Sequence, residues 1–249
     1  MFRVTEDAAH KKIGVVIPST NWVVEAELET LPLEGVSFHF GRMHILDARM
    51  DTNERFEAMM QRFRNTIGET IDSVVTCRPE YMLMGMSSET FWGGREGAQH
   101  FLEEMEERAG LPVTTGAISV QEALNLYGAR RIAVVTPYQE VGDEQVHKFL
   151  TDCGYEVVRL VGLKCESAHA IAQLSEERVE PVLRDLDGDD VDALVQVGTN
   201  FSMIRLADEL ERTLGKPVIA INAANIWHAL RHAGIDTQFD GFGSLLREH

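Results

Sequence analysis

One strand-and-turn occurs twice in this chain, and that repeat narrows the fold more than any other feature. Residues 12–21 read KIGVVIPSTN, and residues 131–140 read RIAVVTPYQE. Each is a basic residue, a β-branched run suited to a buried strand, and a proline that ends the run at a polar turn. Two further echoes follow in the same order. Residues 81–88 (YMLMGMSS) resemble 194–200 (LVQVGTN), and Gly110-Leu111-Pro112-Val113 resembles Gly215-Lys216-Pro217-Val218. The offsets are 119 (131 − 12), 113 (198 − 85) and 105 (215 − 110), a drift that small insertions explain. A single match of buried strands means little, but three in order indicate an internal duplication.

Apolar runs of strand length alternate with helical patterns. Strands are expected at 13–17, 36–40, 82–86, 113–115, 132–136, 156–160, 193–197 and 218–221. Helices are expected at 54–77, 97–109, 119–127, 143–153, 176–186, 204–214 and 224–233. Gly154 and Gly234 stand where left-handed helix caps belong. This alternation gives an α/β fold of two pseudo-symmetric halves, each a mostly parallel sheet flanked by helices. The halves are expected at 1–118 and 119–221, joined through the helix 119–127, with 222–249 packing back on the first. Polar residues at the carboxyl ends of such strands face the ligand crevice, which puts the active site in the cleft between the halves.

Composition removes several classes of function. The net charge of −17, from 23 basic and 40 acidic residues, argues against a nucleic-acid partner. No apolar run approaches the ~20 residues of a membrane helix, so no membrane partner is expected. The acidic stretch 1–10 is not a secretory signal. Three cysteines, Cys77, Cys153 and Cys165, show no paired spacing and indicate a reducing, cytoplasmic setting.

Three turns should meet in the cleft: Pro18-Ser19-Thr20-Asn21, Gly85-Met86-Ser87-Ser88 and Gly198-Thr199-Asn200, with Tyr138 beside them. Their hydroxyls, amides and backbone N–H groups suit a carboxylate or enolate oxygen, although each residue taken singly also suits a helix N-cap. Cys165 follows a strand and precedes a helix, with Lys164 placed to lower its pKa; an inert buried thiol fits the same position. His228 and His232 have i, i+4 spacing, but no third ligand is apparent nearby and 226–230 reads as a packing helix, so no metal is expected. Gly93-Gly94 belongs to no phosphate-loop motif, and 187–190 reads as a solvated acidic turn.

The motifs IPSTN at 17–21 and VVTPY at 134–138, Gly162-Leu163 ahead of a helix, and 218–234 with Trp227 resemble the maleate cis-trans isomerase and arylmalonate decarboxylase branch of the aspartate/glutamate racemase superfamily, over nearly the whole chain. The resemblance implies a cofactor-independent enzyme acting on a small mono- or dicarboxylate through an enolate or ene-diolate in an oxyanion pocket. A homo-oligomer is compatible with it. By position, Ser19, Asn21, Met86, Ser87, Ser88, Thr199 and Asn200 would bind substrate, and Tyr138 would hold an oxygen. The two family cysteine positions would fall on Gly85 and Gly198. A missing thiol costs decarboxylation least, so a decarboxylase-like reaction is expected. The alternatives are an isomerase or racemase with a relocated acid/base residue, such as Cys165 or His169, and a carboxylate-binding protein without catalysis.

Overall fold

The structure is a computed structural model and describes residues 10–249. The stretch inspected for a leader lies outside these residues except for His10, and so does the start of the first half.

In chain order the elements of the first sheet and its helices are β1 (Lys11–Pro18), α1 (Val23–Glu29), β2 (Val36–Met43), α2 (Asn53–Val75), β3 (Tyr81–Met84), α3 (Gly94–Ala109) and β4 (Val113–Thr114). A 3-10 turn at Ser88–Phe91 lies between β3 and α3. Helix α4 (Gly116–Tyr127) crosses to β5 (Arg131–Thr136), α5 (Glu140–Asp152), β6 (Glu156–Gly162), α6 (Ala168–Ala172), α7 (Glu176–Leu186), β7 (Ala193–Gln196), α8 (Ile204–Leu214) and β8 (Val218–Ala220). The chain closes with α9 (Ile221–His232) and α10 (Ser244–Glu248).

Two four-stranded parallel sheets result, ordered β2-β1-β3-β4 and β6-β5-β7-β8. The β-branched runs explain the central strands: Ile13, Val15, Val16 and Ile17 are fully buried, as are Ile132, Val134 and Val135. Parallel strands covered on both faces read as continuous apolar runs. In each sheet the order reverses beside the first strand, between β1 and β3 and between β5 and β7. That is the switch point at which open α/β sheets bind ligands.

The repeat extends to single hydrogen bonds. The backbone N–H of Lys12 donates to Glu80 Oε2 (2.6 Å), and that of Arg131 donates to Asp192 Oδ2 (2.7 Å). Val113 N donates to Glu106 Oε1 (3.2 Å), as Val218 N does to Glu211 Oε1 (3.1 Å).

Register corrects one offset. Tyr81 pairs with Ile13 and Ala193 pairs with Ile132, so the β3 and β7 echo is separated by 112 positions (193 − 81), not 113. Gly85 N donates to Val16 O (2.8 Å) and Val197 N to Val135 O (2.9 Å). Gly85 therefore corresponds to Val197, and Gly198 to Met86. Similar apolar strands tolerate a one-residue slip in sequence, but the hydrogen-bond ladder does not.

Other boundaries differ as well. Strand β3 ends at Met84, because Gly85 and Met86 already belong to the turn. Helix α9 begins at Ile221, directly after β8, rather than at Ala224. Helices α1, α6 and α10 were not expected; they have seven, five and five residues, too few to show a period. Gly154 and Gly234 do take left-handed φ values, of 92° and 73°. Helix α9 packs mainly on α4 and also touches α1, β3, β4 and β8. Among the described residues no helix is long and apolar enough to cross a membrane.

Candidate active site between the two sheets

The carboxyl ends of β1, β3, β5 and β7 converge on a cavity of about 50 Å³, lined by both halves. That volume holds a few waters, or a carboxylate of similar heavy-atom count. Thr20, Asn21, Ser87, Ser88, Tyr138, Thr199 and Asn200 form its polar side. Met50, Met59, Phe63, Met86 and Ile171 form an apolar side. No lining side chain is a carboxylate, imidazole, thiol or cation.

The polar side is a hydrogen-bonded seam between the halves. Ser87 Oγ lies 2.6 Å from Tyr138 Oη and accepts from Thr199 N (3.1 Å). Thr199 Oγ1 donates to Gly85 O (3.2 Å), and Asn21 Nδ2 donates to both Gly85 O (3.2 Å) and Thr199 Oγ1 (3.1 Å). Asn200 Nδ2 donates to Thr20 O and Ala168 O. Because both of those partners are carbonyls, the amide orientation is determined, and its buried Oδ1 is left without a donor.

Tyr138 is buried, and burial, reinforced by the negative Asp143, drives its pKa well above the usual tyrosine range. It remains a neutral O–H donor. Asp143 supports the turn from below. It accepts from Thr136 Oγ1, which itself accepts from Tyr138 N (3.0 Å). Burial raises the Asp143 carboxyl to about 6.

Behind the Thr199 turn, Asn222 Nδ2 donates to Thr199 O (2.9 Å) and to Glu27 Oε2 (2.6 Å). Glu27 Oε1 also accepts from Ser202 Oγ (3.0 Å). Burial raises Glu27 to about 7, against the hydrogen bonds that favour its charge.

The cavity collects Asn21, Met86, Ser87, Ser88, Tyr138, Gly198, Thr199 and Asn200 from the expected site residues. Four others stand apart. Ser19 Oγ is paired with Ile45, donating to its carbonyl and accepting from its N–H, and Thr20 lines the cavity instead. Gly85 contributes only its carbonyl to the seam. Cys165 is buried outside the lining, and Lys164 does not activate it, because that ammonium pairs with Glu140 (2.9 Å). Burial pushes the Cys165 thiol up to about 11. His169 lies near Gln173 and does not line the cavity either. Apart from Met86, the apolar wall was not expected. Its one sequence signal is Met59, an apolar residue beside the buried stripe Phe56, Met60, Phe63 and Ile67 of α2.

Against known proteins, a family model described as arylmalonate decarboxylase matches residues 13–246. A maleate isomerase of Nocardia farcinica is 30% identical over 96% of this chain and 96% of its own. An arylmalonate decarboxylase of Bordetella bronchiseptica is 29% identical over 67% of this chain and 70% of its own. Among solved structures, a mutant Nocardia farcinica maleate cis-trans isomerase with a covalently bound succinylcysteine intermediate superposes with a TM-score of 0.86 at 25% identity. The match covers 96% of this chain and 99% of that one.

Proposed function

The chain belongs to the arylmalonate decarboxylase family, and we propose that it is a decarboxylase acting on a small malonate-type carboxylate in this cavity. One observation carries the reading: neutral donors from both halves face an apolar wall, with no charged side chain between them.

In this reading one substrate carboxylate accepts from the Ser87 and Tyr138 hydroxyls, while Thr199, whose N–H and Oγ1–H are committed to Ser87 Oγ and Gly85 O, holds Ser87 in place. The other lies against Met50, Met59, Phe63, Met86 and Ile171, stripped of water. A desolvated carboxylate beside fixed dipoles is poised to leave as CO2. The C–C bond breaks, its electron pair moves into the retained carboxylate as an ene-diolate, and the α-carbon then takes a proton. The Ser87–Tyr138 hydroxyl pair delivers that proton and is reprotonated from solvent. Each oxyanion donor is worth about 10²–10³ in rate.

Isomerisation through a cysteine adduct is disfavoured by placement. Cys77 is exposed, Cys153 caps α5, and Cys165 is buried elsewhere, so none of them lines the cavity. The test is product analysis in D2O on substituted malonates and on maleate. The proposal expects CO2 release with one deuterium at the α-carbon. Fumarate formation from maleate, or deuterium exchange without CO2, would overturn it.

A further inference from the structure

On the far side of the first sheet, where the crossover helix α4 meets α9, the structure completes a constellation that the sequence left at two residues. Glu122 of α4 faces His228 and His232, one turn apart on α9, and the three ligand atoms lie within 4.8 Å of one another. Glu122 Oε2 is 3.4 Å from His228 Nε2 and 4.0 Å from His232 Nε2. Ligands on a tetrahedral zinc stand about 3.3 Å apart, given bond lengths of about 2.0–2.1 Å. The group needs little adjustment, and His232 and Glu122 are exposed enough to make it.

The hydrogen bonds around both rings leave their Nε2 atoms available. Thr114 Oγ1 donates to Tyr81 Oη (3.2 Å), so its oxygen accepts from His228 Nδ1 (2.8 Å). With the proton on Nδ1, Nε2 is a lone pair. That atom is buried without a hydrogen-bond partner, on a residue only 4% exposed. His232 Nδ1 lies 3.1 Å from the carbonyl of His228 and 3.2 Å from His228 Nδ1; with its proton donated to that carbonyl, its Nε2 is free in turn. A buried lone pair facing a carboxylate oxygen is unfavourable unless a proton or a metal cation lies between them.

We propose that Glu122, His228 and His232 form a binding site for a divalent transition metal of the zinc class, clipping α4 to α9. Thr114 and Tyr81 orient the buried imidazole, and the fourth coordination position is left to water. The site shares no residue with the cavity lining, so it acts on stability rather than on the chemistry.

The test uses the full, untagged chain, cleared of metal by chelator and gel filtration. Zn²⁺ is titrated by calorimetry and Co²⁺ by visible absorption, on the wild type and on His232→Ala and Glu122→Gln. The wild type is expected to take up one equivalent, with the d–d bands of a four- or five-coordinate cobalt ion. Saturation at about 100-fold the Kd should raise its Tm by about 5 °C. Each variant, checked for native circular dichroism, is expected to bind at least about tenfold more weakly and to lose the Tm rise. No stoichiometric uptake by the wild type would overturn the proposal, leaving a proton-closed His228–Glu122 pair. Uptake unchanged in both variants would overturn it equally.

Discussion

In the first half the turn after β3 runs Gly85-Met86-Ser87-Ser88, and in the second the turn after β7 runs Val197-Gly198-Thr199-Asn200. The frames around these turns share their strand order and the register of the central strand pair, yet the turns differ where they meet the cavity. Met86 contributes a side chain to the apolar wall. Its counterpart Gly198 has a φ of +119°, a conformation that side chains rarely adopt. A Cβ there would also lie 2.7 Å from the ring of Pro137. The two halves thus share what holds the sheets together but give the cleft unlike edges: both supply hydroxyls, and only the first adds an apolar side chain, Met86, where the second has a glycine.

The sharpest way to break this comparison is to add one methyl group to each glycine. Gly198→Ala meets both backbone strain and the rigid Pro137 ring. It is expected to cost about 3 kcal/mol or more and at least about 10²-fold in kcat/KM, because Thr199 N leaves Ser87. At Gly85 the added Cβ meets Ile17 Cγ2 at 2.5 Å on an ordinary backbone. Gly85→Ala should cost about 1–2 kcal/mol by overpacking alone. Urea unfolding and turnover of both variants decide the matter, and equal losses would remove the asymmetry.

Glu27 of α1 reaches Ser202 and Asn222 on the opposite side of the seam. Its folded value of about 7 exceeds the usual 4.5. Its stabilising contribution is full below about pH 4.5 and is lost as pH rises to about 7, on the order of 3 kcal/mol. Glu27→Gln should flatten the stability profile across that window. A variant whose profile parallels the wild type between pH 4.5 and 7.5 would contradict the assignment.

The smallest effects are expected at the residues that the structure removes from the cavity. Ser19→Ala should cost about 1 kcal/mol through its lost bonds to Ile45 while leaving kcat/KM within about threefold. Cys165→Ser and His169→Ala should likewise leave turnover intact. A tenfold fall in kcat/KM for any of the three would return that residue to the site.

These residues also show what sequence can and cannot convey. Buried runs such as 13–17 and 132–136 announced the strands, and the order of echoes announced two sheets, because burial on both faces leaves few residue choices. The choice between Ser19 and Thr20 was not legible. Both lie in a tight turn closed by Asn21 N donating to Pro18 O (2.9 Å), and nothing local says which faces the cleft. Cys165 was placed near the crevice by topology, but its side chain turns into the core. Helix α1 was hidden because Glu27, a charged residue, occupies a buried position among Val23, Val24 and Leu28. The third member of the histidine cluster, Glu122, lies 106 positions from His228 (228 − 122) and came into view only once α4 met α9.

The central claim is that the halves hold one substrate oxygen together, through Ser87 of the first and Tyr138 of the second, 2.6 Å apart. A double-mutant cycle of Ser87→Ala and Tyr138→Phe, read in kcat/KM for CO2 release, tests it most directly. Each single variant should lose about 10²–10³-fold, and the double variant little more than either, a coupling of about 3–4 kcal/mol. Losses that simply multiply, with coupling below about 0.5 kcal/mol, would show that the two hydroxyls act apart and that the shared pocket does not exist.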